Sequence, residues 1–286
     1  MRVLVAGATG VIGRQLVPLL EAVGHEVIPM SRKLADVLDR EATLRAVRQA
    51  APDAVVHLLT AIPKEIDPRR FAEQFELTNR LRTEGTRNLI DAAPGARLIT
   101  QGLAYAYEPG EGLADEDTPL WARPPKQFRP ARRALAELEE LTAGAGGLVL
   151  RFGHLTGPGT VYAKDGSTSV AVRAGKMPIV GDGGSVFSFT TTHDAATSIV
   201  TALDRNVTGV LNVVDDTPLT VREWLPAFAE RLGAPAPKRV PEFLARLAVG
   251  SWGTAFMTRL RGADNARARL LLNWRPRYAC FLDEQA

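Results

Sequence analysis

An α/β fold, a doubly wound parallel sheet with a smaller C-terminal lobe, is predicted by three observations. Short apolar strand patterns alternate with helical ones over the first 155 residues. The first strand runs into a glycine-rich turn that opens a helix. Beyond residue 155 the alternation gives way to Gly- and Pro-rich stretches such as TGPGT and GDGG. Strands and helices alternating at this spacing require crossover helices on both faces of a parallel sheet.

Each element follows from its local pattern. RVLVA (2–6) is a short buried strand, and Val11, Ile12, Leu16, Leu19, Leu20 and Val23 then repeat with helical period. HEVIPM (25–30) is a second strand. Asp39 can cap a helix over 40–50, which stops at the Ala51-Pro52 step. DAVVHLL (53–59) is a third strand, one long helix fits 68–93, and ARLIT (96–100) is a fourth strand. A helix over 131–143 and the strand GLVLRF (147–152) follow. A helix over 194–204 and a strand over 209–214 rejoin the sheet. Helices near 220–232, 241–249 and 264–272 belong to the lobe. The expected division is 1–155 plus 188–214 for the sheet domain and 156–187 plus 215–286 for a substrate-binding lobe, with a cleft between them.

Bulk properties narrow the function. The 286 residues are 45% hydrophobic and 23% charged, with a net charge of +3, ordinary values for a globular protein. The densest basic cluster, Arg123, Lys126, Arg129, Arg132 and Arg133, fits a solvated face or an anionic-ligand site better than a nucleic-acid surface. One cysteine, Cys280, excludes an intramolecular disulfide and reads as a passive thiol. His25, His57, His154 and His193 show no metal-ligand spacing. No apolar run approaches the ~18–20 residues of a membrane span, and no signal-peptide pattern opens the chain. The expectation is a cytoplasmic monomer or homodimer acting on a small molecule, with neither nucleic acid nor membrane as partner and no metal.

The turn Gly7-Ala8-Thr9-Gly10-Val11-Ile12-Gly13 sits between strand and helix. Its glycines allow a tight turn and let backbone N–H groups approach a pyrophosphate at a helix N-terminus. That context identifies a dinucleotide site of Rossmann type. At the end of the second strand, where an acidic residue would bind ribose hydroxyls, the chain has Ser31-Arg32-Lys33. Cations with a hydroxyl suit a 2′-phosphate, so NADP(H) is expected over NAD(H).

The spacing G-x-x-G-x-x-G resembles the extended or atypical branch of the short-chain dehydrogenase/reductase superfamily, the NAD-dependent epimerase/dehydratase family. GTRNLIDAA (85–93), LRFGHLTGPGT (150–160), VGDGGSVFSFTTTHDAA (180–196) and NWRP (273–276) resemble further motifs of that family in the same order. The resemblance implies that Asp36 and Val37 contact the adenine, and that Leu58, Leu59 and Thr60 line the diphosphate and ribose. Gln101, Gly153 and His154 are expected near the nicotinamide and Ile62, Tyr162 and Thr191 near the substrate, although Thr191 and His193 stand where the family has a histidine and an aspartate, so its roles do not carry over there. One departure is the short stretch between Arg32 and Asp36.

The family's chemistry rests on a Tyr-x-x-x-Lys pair on one helix face. In PKQFRPARRALAELEEL (125–141) the matching positions are Phe128 and Arg132 or, in the other register, Arg129 and Arg133. Neither register supplies a tyrosine, and a guanidinium is a poor proton donor near neutral pH. The usual serine site reads Thr100-Gln101-Gly102. Candidate donors are therefore Tyr105 and Tyr107, in the loop that should overhang the cofactor, with Thr100, His154 or water behind them. A phenol in this role needs a nearby cation, for which Arg132 and Arg133 are the candidates. Asp194 is expected to cap the helix that follows it. The resulting expectation is an NAD(P)-dependent oxidoreductase or epimerase with non-standard catalytic residues, acting on a small carbonyl, hydroxyl or sugar-like substrate. The alternative is a non-catalytic NADP(H)-binding redox sensor.

Overall fold

β1 (Arg2–Ala6) is buried along nearly its whole length because it lies inside the sheet, between β2 (Glu26–Met30) and β3 (Ala54–His57). The computed structural model describes residues 1–32 and 34–284. Helix α1 (Gly13–Ala22) connects β1 to β2, and α2 (Arg40–Ala50) connects β2 to β3. Asp39 caps α2 by accepting the Ala42 N–H at 2.9 Å, as expected. β2 is the sheet edge, where Pro29 is tolerated because a missing donor can face solvent.

The segment after β3 departs from the sequence expectation. Instead of one helix over 68–93, the chain forms α3 (Phe71–Gln74), α4 (Glu76–Arg80), a π-helical turn (Leu81–Gly85) and α5 (Thr86–Ala92). The break falls at Phe75, which leaves helical geometry while its ring stacks on Phe71 at 3.9 Å. Packing of that aromatic pair into the lobe overrides helical periodicity. β4 (Arg97–Leu103) runs three residues beyond its expected end, paired to β5 (Leu148–Phe152) up to Leu103. Helix α6 (Arg129–Gly144) joins these two strands.

The rest of the chain is short pieces and helices: β6 (His154–Thr156), α7 (Ser167–Arg173), β7 (Ile179–Val180), β8 (Val186–Phe187), β9 (Phe189–Thr191), α8 (Thr192–Leu203), β10 (Gly209–Val213), β11 (Leu219–Thr220), α9 (Val221–Arg231), β12 (Arg239–Val240), α10 (Glu242–Thr258), α11 (Ala266–Leu272) and α12 (Phe281–Glu284). Only β10 joins the main sheet, whose order is β10-β5-β4-β3-β1-β2 with every pairing parallel. The chain reverses direction between β2 and β3, so β1 and β3 flank the switch point where such sheets bind ligands at their carboxyl ends.

Among the described residues, the three largest buried clusters hold most of this arrangement. Leu16, Leu20, Ile199 and Ala202 pack on one sheet face, and Val47, Leu81, Leu89 and Ala92 on the other. The third is aromatic, with Phe187, Phe189, Trp224, Phe228 and Phe281 at its centre. It also takes in Phe71, Phe128, Ala131 and Leu135, whereas Ala268, Leu272 and Trp274 pack with the sheet. The two cores therefore exchange elements across the division at residue 155. Helix α10 bends at Gly250, whose φ of 74° suits glycine. Among the described residues, no helix is long and apolar enough to cross a membrane, and no group of side chains could hold a metal ion.

Candidate active site

The nucleotide end is built from backbone. Gly7 adopts φ 99°, and a Cβ there would lie 3.0 Å from the Leu58 carbonyl group. A Cβ on Gly13 would lie 2.3 Å from the Gly7 oxygen, so β1, its turn and α1 approach more closely than any side chain permits. The first helical bond runs from Arg14 N–H to the Gly10 carbonyl at 3.0 Å. The N–H groups of Val11, Ile12 and Gly13 therefore precede the α1 ladder and, with Thr9, form the turn at its positive end. This cradle fits a pyrophosphate.

Ser31 and Arg32 follow β2 at the same edge, and Arg32 is exposed. Lys33 lies outside the described residues. Asp36 accepts the Leu38 N–H at 3.0 Å and keeps an exposed face, while buried Val37 accepts Asn88 Nδ2 at 2.8 Å. Leu58, Leu59, Thr60 and Ile62 continue from β3 on the other side of the switch point, with Thr60 and Ile62 exposed.

Beneath this cradle sits a group that the sequence patterns did not reveal. His57, the last residue of β3, is buried and places Nε2 3.1 Å from the Leu81 carbonyl, while Nδ1 lies 3.2 Å from the Leu59 N–H. Nε2 thus donates to the π-turn and Nδ1 accepts from the following loop. Both nitrogens are committed, and burial lowers the pKa to about 4, so the ring is neutral. The next residue of the π-turn, Arg82, is 4% exposed, and its Nη1 has no hydrogen-bond partner. Burial lowers its pKa to about 10, against the opposing influence of the Tyr105 phenol.

Tyr105 is half-buried and stacks on His154, with ring centroids 4.4 Å apart and planes at 11°. His154 is sandwiched on its other face by Phe187 at 4.0 Å. Burial lowers the His154 pKa to about 3, and its Nε2 has no partner. Tyr162 meets the same imidazole edge-on but is 4% exposed within the aromatic core; burial, and secondarily Tyr105, push its pKa upward. The structure therefore gathers Tyr105, His154 and Tyr162 just past the carboxyl ends of β4 and β5, with the Arg82 charge acting on Tyr105. Burial also raises the Tyr105 pKa, only partly offset by Arg82. Its phenol is a proton holder rather than a base.

Several expected roles are corrected. Tyr107 is 1% exposed; its hydroxyl donates to Asn212 Oδ1 and accepts from Arg151 Nη1 at 2.8 Å. Its pKa is raised to about 12, chiefly by burial. Arg151 grips Glu139 through two bonds of 2.7 Å. This brace ties the loop after β4 to β5, α6 and β10 and leaves Tyr107 no free proton. It also accounts for Gly102 at the expected serine site, where a Cβ would lie 2.9 Å from Arg151 Cγ.

Thr100 faces Thr142 Oγ1 at 3.0 Å, and Thr142 in turn donates to the Leu138 carbonyl at 2.7 Å. Thr100 thus pins β4 to α6 away from the crevice; Gln101 follows it on the strand, half-buried. Arg132 donates Nε to the Trp121 carbonyl at 3.2 Å, and the cations influencing Tyr105 and Tyr107 are Arg82 and Arg151, not Arg132 or Arg133. Phe128 stacks flat on Trp252 at 4.1 Å inside the lobe. Thr191, not Asp194, caps α8 by accepting the Asp194 N–H at 2.9 Å; Asp194 itself accepts the Arg277 N–H. Gly153 donates its N–H to Thr190 Oγ1 at 2.8 Å and allows close contact with Ser188.

A large groove of about 1480 Å³ opens between the segment after Tyr107 and α10. Arg123, Lys126, Arg129, Arg246, Arg259 and Arg261 line it, against Glu108, Glu223 and Glu242. Its potential favours an anion. Much of the basic cluster seen in the sequence faces this groove.

Comparison with known proteins agrees with this geometry. Residues 3–214 match the profile of the NAD dependent epimerase/dehydratase family. A curated Streptomyces protein named 3-diazoavenalumate denitrifying reductase is 46% identical, covering 99% of this chain and 98% of that protein. The human epimerase family protein SDR39U1 is 32% identical over 84% of this chain and 82% of its own. The crystal structure of human SDR39U1 (isoform2) with NADPH superposes with a TM-score of 0.75 at 25% identity, covering 100% of this chain and 99% of that one. The switch-point cradle, the parallel sheet and these matches converge: the chain belongs to the NAD dependent epimerase/dehydratase family.

Proposed function

We propose that this protein is an NADPH-dependent reductase that removes the diazo group from an aromatic carboxylate. The observation that carries the reading is the 46% identity, across 99% of the chain, to a relative named as a denitrifying reductase of a diazo acid. The chemistry of the site supports it. Helix α6 carries no tyrosine, Phe128 is packed against Trp252, and Tyr107 is committed to its brace. A carbonyl reductase needs a proton on the nascent alkoxide, which such groups provide. A diazonium carbon–nitrogen system accepts hydride without one. The loss of the family's tyrosine is then a consequence of the substrate rather than a defect.

The residues present fit the cofactor. The Gly7–Gly13 turn would hold the pyrophosphate at the start of α1, Asp36 the adenine, and Arg32 a 2′-phosphate by charge-assisted bonds. SDR39U1 was crystallised with NADPH, which supports the same preference here. NADPH supplies the hydride. The protein orients the acceptor, excludes water with the Tyr105–His154–Phe187 stack, and attracts the carboxylate through the basic groove. The test is purified protein with NADPH and diazotised 3-aminocinnamate, following NADPH absorbance and dinitrogen together. The expected result is equimolar NADPH loss and dinitrogen release. NADPH binding with no diazo compound consumed would overturn the reading and favour the redox-sensor alternative.

A further inference from the structure

α12 ends on Glu284, a carboxylate held half-buried rather than in water. Burial, and secondarily the neighbouring Asp194, raise its pKa against the Thr156 bond. An acid kept from water beside another acid is destabilising unless its oxygens are used. Both are used. Oε2 accepts the Thr156 hydroxyl at 2.5 Å. Oε1 lies 3.3 Å from where a Cβ on Gly157 would stand, and Thr192 Oγ1 lies 2.7 Å from the same point. The carboxylate thus fills space that Gly157, at φ 99°, leaves open, and it grips the chain where β6 ends. The segment carrying Glu284 is anchored before it arrives there. Asp194 accepts the Arg277 N–H at 2.9 Å, the Ala279 carbonyl accepts the Asp216 N–H at 3.0 Å, and Asp215 accepts the N–H groups of both Phe189 and Phe281. The Phe281 ring stacks on Phe189 at 3.7 Å. These ties lay Arg277–Glu284 against the paired strands β6 and β9. On its other side the gripped turn meets the nucleotide end. A Cβ on Gly159, whose φ is 79°, would lie 3.3 Å from Val11 Cγ1, and Val11 belongs to the turn that opens α1.

We propose that Arg277–Glu284 is a clasp on the cofactor crevice, in which Glu284 is a positioning residue: through Thr156 it holds the Gly157–Gly159 turn against Val11 and so slows release of the dinucleotide. This rests on the dinucleotide cradle and not on the diazo substrate. The contacts form one line, from the anchored C-terminal segment through the Thr156 hydroxyl and the glycine turn to the start of α1. With the Thr156–Glu284 bond made, the two glycine turns close on each other. With it broken, the Gly157–Gly159 turn is free to part from Val11 and open one side of the cradle. Glu284 acts through Thr156 and transfers no proton. Product release sets the turnover of many enzymes, and an oxidised dinucleotide must leave a reductase once in every cycle, so the clasp stands at a step able to limit the rate.

The test is the dissociation rate of NADPH, followed by stopped-flow fluorescence during displacement with excess NADP⁺. Glu284→Ala and Thr156→Val should each speed dissociation by about tenfold, the effect of one hydrogen bond, and change the association rate by less than about twofold. Glu284→Gln keeps an acceptor for the Thr156 hydroxyl and should recover most of the slow rate. The double variant Thr156→Val with Glu284→Ala should be no faster than either single one, because both remove the same bond. If Thr156→Val does not fold, Glu284→Ala against Glu284→Gln carries the test. Without cofactor, hydrogen exchange of the amides over 157–160 should quicken in Glu284→Ala while β1 stays protected. Unchanged dissociation in Glu284→Ala, no recovery in Glu284→Gln, additive effects in the double variant, or exchange that quickens equally in β1 would overturn the proposal. Absence of any NADPH or NADH binding would overturn the cradle and the clasp together. None of these readouts involves turnover, so failure of the diazo assay and failure of the clasp are distinguishable.

Discussion

The two ends of the crevice are built on opposite principles. At β1 and α1 the groups offered to a ligand are backbone N–H groups, and Gly7, Gly10 and Gly13 allow the close approach there by having no Cβ. At β4 and β5 the groups are side chains, a neutral aromatic stack of Tyr105, His154 and Phe187, which in the proposed function stands where the family's Tyr and Lys would act. The first end tolerates no change of shape, because a close backbone approach is all it has. The second is free to change its chemistry within the same fold, because sheet and helices do not depend on which proton donor stands at their edge.

The sharpest way to break this comparison is at Gly13. Gly13→Ala places a methyl against the Gly7 oxygen, 2.3 Å from an ideal Cβ, and should reduce NADPH affinity by about a hundredfold or more if backbone approach is the whole of that site. Fluorescence titration of NADPH checks it. An affinity within a few-fold of wild type would mean that the turn does not cradle the phosphates.

His57 and His154 sharpen the other side. Both have folded pKa values lowered from 6.5, to about 4 and about 3. Each is neutral in the fold and protonates more readily when unfolded. Their stabilisation is present above pH 6.5 and is lost as pH falls through 6.5 toward 4. For His57 the full loss is at most roughly 3 kcal/mol. Asp215, raised to about 8 by burial, opposes this trend, so the comparison is between variants: the Tm advantage of wild type over His57→Gln, followed by circular dichroism, should shrink as pH falls across that window. A Tm difference between wild type and His57→Gln that stays constant from pH 7 to about 4 would contradict neutral burial of His57.

Smaller effects separate the remaining residues. Arg32→Ala should weaken NADPH by about tenfold and leave NADH nearly unchanged; equal losses would remove Arg32 from the 2′-phosphate. Tyr107→Phe should lower stability by about 1 kcal/mol through loss of its two bonds and leave kcat unchanged. Denaturant titration and turnover separate those outcomes, and a large fall in kcat would return Tyr107 to the chemistry.

Legibility in the sequence divides along the same line. The sheet, the Gly7–Gly13 turn and the Asp39 cap were readable because local pattern and backbone constraint agree there. The reaction end was not. Nothing local to Tyr107 says that Arg151, 44 residues on, will claim its hydroxyl, or that Thr100 will turn toward Thr142 beneath α6. The helix expected over 68–93 broke where Phe75 packs into a core assembled from distant segments. Arg82 did leave a signal, a charge in the apolar phase ahead of GTRNLIDAA, but helical periodicity alone treats such a residue as an exposed neighbour.

The central claim, hydride acceptance without a protein proton donor, is tested most directly by kcat of Tyr105→Phe at saturating NADPH and diazotised 3-aminocinnamate. Tyr105 is the phenol nearest to a catalytic position, with a proton it holds firmly. The proposal predicts kcat within about fivefold of wild type, since a diazo group accepts hydride without a proton from the phenol. A fall in kcat of about 10²–10⁴-fold, the contribution of a true general acid, would contradict it.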